Sequence, residues 1–347
     1  MSGRAYGVAL APHAPLPELL ESARAAEELG YRYLWVTDDR LQRDVFVTLA
    51  AIAQATSALW IGPGVTNPFS RRPALIATAI ATLDELSGGR AVLGLGAGGT
   101  NHRALGVRRE APVAALAESI ELIRGLLAGG EVTLRGRAVR AEGARLDFTP
   151  VRAAVPIYVG ARARRMLELA GELADGVIVG NVASPDGWSY AHERIAAGAA
   201  RAARPLSEVT LTAWVYCSVA DDAVAALDAI RPMVATSLAT SRSALVALGL
   251  QPPPAYLRRM EELGWSLERD AVTSAGRVLP EQTLRFFGLA GTPADCAASL
   301  RELLERFPQI AQVTIVPAAP ARGTVAEVVH RFMREVVPLA AREGVPA

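Results

Sequence analysis

Cysteine is scarce. Cys217 and Cys296 are too few for a disulfide framework or a thiolate metal cluster, and they suit a reducing compartment. Net charge is equally slight, since 36 basic against 35 acidic side chains leave a formal +1. Such a balance offers no electrostatic footprint for nucleic acid or an anionic membrane surface. No apolar run approaches the ~20 residues of a membrane-spanning helix. The early apolar run is broken by Pro12 and Pro15 and is too short for a secretory signal. The histidines, at 13, 102, 192 and 330, lack metal-ligand spacing, so no metal is expected, and neither a P-loop nor a G-x-S-x-G elbow occurs. What remains is a globular protein, 51% hydrophobic and 20% charged, with material for a large core and a cytoplasmic location as the expectation.

Short apolar runs alternate with helical patterns. "YGVAL" (6–10) and "YLWVT" (33–37) read as strands, separated by Leu16, Leu19, Leu20, Ala23, Ala26 and Leu29 at helical spacing. "LWIGPGVTNPFSRRP" (59–73) supplies a third strand interrupted by Gly-Pro-Gly, and Pro73 suits the first turn of the next helix. Strands four to seven are "RAVLGLGAG" (90–98), "VPIYVGA" (155–161), "DGVIVGN" (175–181) and "VTLTAWVYCSV" (209–219), with Pro112 opening the helix after the fourth. "AQVTIVPA" (311–318) is the eighth, after a helix begun by Thr292, Pro293 and Asp295 as a capping-box variant, and a last helix covers about 324–341. Eight such units predict an α/β fold of the (β/α)8 TIM-barrel type, one domain over 1–347. Residues of about 235–290 show no strand signal and read as a mostly helical insertion between strands seven and eight, either a lid or a dimerisation element.

Loops after barrel strands converge on one face. Here they are Thr37-Asp38-Asp39, Val65-Thr66-Asn67-Pro68, Gly96-Ala97-Gly98-Gly99-Thr100-Asn101, Gly160-Ala161-Arg162 and Gly180-Asn181. Glycines, small hydroxyls and amides let backbone approach a flat ligand and hydrogen-bond its edge, which predicts a large cofactor across the barrel mouth. Gly94, Gly96 and Gly99 formally satisfy G-x-G-x-x-G, but no acidic residue follows at the dinucleotide-binding distance and the next helix waits for Pro112. Asp38 and Asp39 are either paired carboxylates for acid–base work or structural loop residues. Arg162, Arg164 and Arg165 crowd a helix start, where the macrodipole disfavours cations; a bound phosphate or simple surface solubility explains them. His13 and His102 follow strands one and four, either facing the mouth or on the surface.

Taken together, "YGVALAPHAP", "VTDD", "GPGVTNP", "ATAIATLDELSGGRAVLGLGAG", "IYVGARARRMLELAGELADGVIV", "PPPAYLRRMEELG" and "GTPADCAASL" resemble, in order and over essentially the whole chain, the luciferase-like flavin/deazaflavin superfamily. Within it the sequence is most similar to the coenzyme F420-dependent methylenetetrahydromethanopterin reductases. The resemblance implies a TIM barrel and a non-prolyl cis peptide between Gly64 and Val65. It implies F420 contacted by Asp38, Gly64, Val65, Thr66, Asn67, Gly96, Ala97, Gly98, Gly99, Thr100, Gly160, Ala161, Gly180 and Asn181. The phosphate would lie towards Arg162, and hydride would leave C5 for a small organic substrate such as an imine, iminium or enone. A homo-oligomer, a dimer, is also expected.

Three departures stand out, all expected at the reaction mouth. The reductases usually have Glu in the first strand, His after "TD" and Gly-Asp-Lys after the fourth strand, where this chain has Ala9, Asp39 and Gly98-Gly99-Thr100. These predict that the cofactor is kept while the folate-like substrate is not, with Asp39 as acid, polar anchor or unpaired loop residue. An FMN-dependent luciferase-like monooxygenase and a non-catalytic flavin-binding homologue are the alternatives.

Overall fold

A computed structural model describes residues 3–38, 41–98 and 105–341. In chain order the elements are β1 (Ala5–Leu10), α1 (Leu16–Glu28), β2 (Tyr33–Val36), α2 (Val45–Ala55), β3 (Trp60–Pro63), α3 (Pro73–Leu86), β4 (Leu93–Gly96) and α4 (Pro112–Leu127). They continue with β5 (Val132–Arg135), β6 (Arg140–Ala144), β7 (Ile157–Ala161), α5 (Arg164–Leu173), β8 (Gly176–Gly180), α6 (Pro185–Arg201), β9 (Thr210–Val219) and α7 (Ala223–Ala247). The last are α8 (Pro254–Glu262), α9 (Arg269–Gly276), α10 (Glu281–Phe287), β10 (Gly288–Gly291), α11 (Pro293–Arg306), β11 (Ile310–Pro317), α12 (Val325–Arg331) and α13 (Val337–Ala341).

Eight parallel strands run in the order β3-β2-β1-β11-β9-β8-β7-β4. The ring closes between β3 and β4: Ile61 N donates to Arg90 O at 3.0 Å, and past the Gly-Pro-Gly interruption Thr66 N donates to Gly94 O at 3.0 Å. The fold is the TIM barrel that the alternating pattern predicts. The strand period of two separates the apolar residues into two layers. Leu34, Val36, Val159, Val177, Val179, Ala213 and Val215 belong to the core shared with the helices. Trp35, Tyr158, Ile178 and Trp214 point inward, joined by Tyr33, Trp60 and Ala9. The interior is therefore filled with rings: Trp35 lies 5.9 Å from Trp214 and 5.5 Å from Tyr158, and Tyr33 stacks on it at 6.1 Å.

Below that layer, buried Asp84 at the end of α3 accepts from Arg152 Nε at 2.8 Å and from Ala91 N at 3.0 Å. The Arg152 guanidinium covers the Trp60 ring at 5.4 Å, and Arg90 donates to the carbonyls of Ala53, Thr56 and Leu59. Thr292 and Asp295 cap α11 reciprocally.

Two elements differ from the expected pattern. A hairpin of β5 and β6 stands apart from the barrel sheet, and β10 pairs in parallel with the outer half of β9. Residue 235 lies inside α7, which runs unbroken by sequence gaps from 223 but bends at Ser241, whose φ of −134° and ψ of 21° leave the helical region. Among the described residues, no helix is long and apolar enough to cross a membrane.

Candidate active site

A cleft of about 1770 Å³ opens at the C-terminal ends of the barrel strands. Val65, Ile178, Trp214 and Val316 form its apolar floor, and α7 supplies one wall through Met233, Thr236, Thr240 and Ala244.

The interruption in "WIGPGVTNP" builds part of this floor. Gly64 N donates to Val36 O at 2.7 Å, and the Gly64–Val65 peptide is cis. Val65 then reaches across β4 and β7. A Cβ on Gly96 would lie 2.4 Å from Val65 Cγ2, and one on Gly64 would lie 2.6 Å from Trp214 Cη2. These glycines make room first for the protein's own Val65 and Trp214, which together become a platform, and only through that platform do they serve a ligand.

Of the residues expected at the mouth, Asp38, Gly64, Val65, Gly96, Ala97, Gly98, Gly160, Ala161, Arg162, Gly180 and Asn181 line the cleft. Thr66 and Asn67 are not brought there. Both are buried: Thr66 Oγ1 donates to Asp38 Oδ2 at 2.6 Å, and Asn67 Oδ1 accepts from the Phe69 and Ser70 N–H groups. Ala9 lies in the apolar interior beside its register partner Trp35, beneath the cleft rather than in it. Asp39, Gly99, Thr100 and His102 lie outside the described residues.

Asp38 also accepts from Arg71 Nε at 3.2 Å, and Arg71 reaches Asp44 Oδ2 at 2.5 Å while its guanidinium covers Phe46. Its carboxylate is thus committed to a network that ties the end of β2 to the loop before α3. His13 stands at the rim, 3.4 Å from Gln42 Nε2.

Arg162 follows β7 and precedes α5, whose N-cap, Ala163, makes no side-chain capping bond. Arg164 is satisfied by Glu168 at 2.9 Å and points to solvent. Arg162 instead is half-buried, with Nη1 3.5 Å from Ser237 Oγ and no carboxylate partner among the described residues. Burial pulls its pKa below the ordinary value, partly offset by Tyr216. Nearby, Asn181 adopts a left-handed φ of 53°, donates from Nδ2 to Tyr216 Oη at 3.1 Å, and leaves a buried Oδ1 without a partner among the described residues. A guanidinium without a carboxylate partner among the described residues, an uncapped helix start and an orphan amide oxygen, all on residues beside one cleft, fit a flat heterocycle carrying N–H groups and a phosphate.

Sequence reading missed Trp214, Tyr216, Ser237, Arg109, Arg137 and Arg269. Trp214 and Tyr216 sit two apart in β9 and share its inward phase, a signal available in the strand pattern. Arg137 is delivered by the β5–β6 hairpin, whose turn N–H groups at 137, 138 and 139 all donate to Glu118 of α4 at 2.7–2.8 Å. Burial raises the Glu118 pKa, but these three donors outweigh it and hold the carboxyl below its ordinary value. Its stabilisation is therefore full above the usual carboxylate range and is lost as pH falls through the lowered value. Glu118→Ala should cost about 1 kcal/mol at neutral pH. Urea melts at pH 7 and pH 3 should show that gap closing in acid; a constant gap would reject the assignment.

Residues 3–308 match the model of the luciferase-like monooxygenase family. The chain belongs to that family. It is 35% identical over 335 residues, covering 96% of this chain and 99% of the relative, to a 5,10-methylenetetrahydromethanopterin reductase of Methanolobus tindarius. It is 33% identical, over 96% of its own length and 98% of the relative, to the enzyme of that name from Archaeoglobus fulgidus. Among solved structures, the coenzyme F420-dependent tetrahydromethanopterin reductase of Methanopyrus kandleri superposes with a TM-score of 0.84 at 28% identity, covering 97% of this chain and 99% of that one.

Proposed function

We propose that this family member is an F420-dependent oxidoreductase, acting as a reductase on a small organic substrate with an imine, iminium or enone carbon. One observation carries the reading: Arg162, without a carboxylate partner among the described residues, faces the same cleft as the Val65–Trp214 platform. The F420-dependent names of its relatives support the cofactor. Gly64, Val65, Gly96, Ala97 and Gly98 would seat the ring, with Gly99 and Thr100 continuing that loop. Gly160, Ala161 and Arg162 would hold the phosphate, and Gly180 and Asn181 the ring's polar edge. Thr66 holds Asp38, and Asn67 orders the turn that follows it.

When bound in its reduced form, F420 would supply a hydride at C5 and be oxidised in doing so. The chain orients the acceptor over an apolar floor and keeps water from it. Among the described residues that floor carries no free acid, because Asp38 is committed to Thr66 and Arg71. An iminium carbon suits such a floor, since hydride addition yields a neutral amine without a proton from the protein.

Fluorescence titration tests the cofactor. Micromolar affinity for F420 without affinity for FMN is expected, and Arg162→Ala should weaken F420 by about 10- to 100-fold. FMN co-purifying with oxygen consumption would overturn the reading in favour of a monooxygenase. The reading includes a dimer, seated on adjacent α2 and α3, which present Val47 and Leu75 at 67% and 65% exposure. Light scattering should show Val47→Glu/Leu75→Glu as a monomer; an unchanged mass would place the interface elsewhere.

A further inference from the structure

Tyr216 stands at the cleft end of β9 and is fixed on two sides. Its ring stacks on Phe287 at 6.3 Å with an interplanar angle of 25°. Its hydroxyl lies 2.8 Å from Ser237 Oγ, accepts from Asn181 Nδ2 at 3.1 Å and donates to Met233 O at 3.3 Å. One phenol thereby joins the end of β8 to α7. Ser237 is itself only 3% exposed, and it is the hydroxyl that Arg162 Nη1 meets at 3.5 Å.

Of the groups just named, Arg162 alone carries a charge. Had Asp or Glu stood at 237, the guanidinium would be neutralised by an internal ion pair. A hydroxyl fixes the geometry of Arg162 and leaves its charge to an incoming anion. We propose that Tyr216 and Ser237 are positioning residues that hold Arg162, which has no carboxylate partner among the described residues, over the cleft as a cation for the cofactor's phosphate. The inference rests on the cofactor reading above.

The test compares two ligands by fluorescence titration of the intact protein: F420, and its phosphate-free fragment, the deazaflavin bearing only its ribityl chain. Ser237→Ala should weaken F420 about fivefold, the scale of one modest hydrogen bond, and leave the fragment unchanged. Tyr216→Phe, which also releases Asn181, should weaken F420 by more than it weakens the fragment. In an Arg162→Ala background Ser237→Ala should have no further effect on F420. Equal weakening of both ligands would mean a merely structural role and overturn the inference. So would full retention of the effect without Arg162, or an unmodified chain that binds F420 no tighter than the fragment. An unmodified chain that binds neither ligand overturns the cofactor reading and this inference with it, a result distinct from the selective failures. Thermal melts of each variant show whether the affinity changes belong to a folded protein.

Discussion

Asp84→Ala is expected to destabilise the protein by about 3–4 kcal/mol, because it breaks a buried ion pair from one side. Asp84 is 1% exposed; its carboxylate takes two N–H groups of Arg152 and the N–H of Ala91. Removal strands a guanidinium over Trp60 and an amide at the root of β4. Asp84→Asn keeps an acceptor for Ala91 and should cost roughly half as much. Guanidinium denaturation measures both, and a loss below about 1 kcal/mol for the alanine variant would show that Arg152 finds other partners. F420 affinity of the folded fraction should not change, since the pair lies at the opposite end of the barrel from the cleft.

That prediction bears on what one of the longest family-like stretches means. "ATLDELSGGR" anchors the family resemblance, yet its Asp84 and Arg90 act at the N-terminal face, where barrel residues serve stability. Arg90 ties three carbonyls of the α2–β3 connection, and Asp84 ties α3 to β4 and Arg152. The block identifies the fold through structural residues, and chemistry has to be argued from the other end.

The eight barrel strands were legible because buried parallel strands must be short apolar runs, and here glycine and proline punctuate each one. The β5–β6 hairpin was not: Arg135, Arg140 and Glu142 lie in a two-stranded surface element with little to bury. Nor was β10, whose "GLAG" carries no β-branched residue and takes its pairing from the overhang of β9 beyond β8. At the site, the strand-end glycines were recognised, but their immediate neighbour is Val65 rather than a ligand. Ala9, where the resemblance leads one to expect a glutamate at the mouth, instead packs against Trp35 in the apolar layer beneath the floor. Tyr216, Ser237 and the α7 wall come from distant segments that only the closed barrel brings together.

Gly96→Ala is expected to weaken F420 binding by more than about tenfold while costing about 1–3 kcal/mol of stability, the range of an overpacked core. The new Cβ would stand 2.4 Å from Val65 Cγ2, a separation that real side chains do not tolerate. Val65 has little room to retreat toward β7, since a Cβ built on Gly160 already lies 3.1 Å from its Cγ1, and Trp214 closes the side beside Gly64. The remaining direction is into the cleft, across the surface on which the flat cofactor would rest. Val65→Ala alone removes two methyl groups from the platform and should weaken binding only about threefold. In the double variant the added methyl occupies space vacated by Val65, so its affinity should return to that of Val65→Ala. The cycle thus predicts strong non-additivity in the direction of rescue. Losses that simply add, or a Gly96→Ala protein with unchanged affinity, would show that Val65 is not the surface against which the cofactor lies.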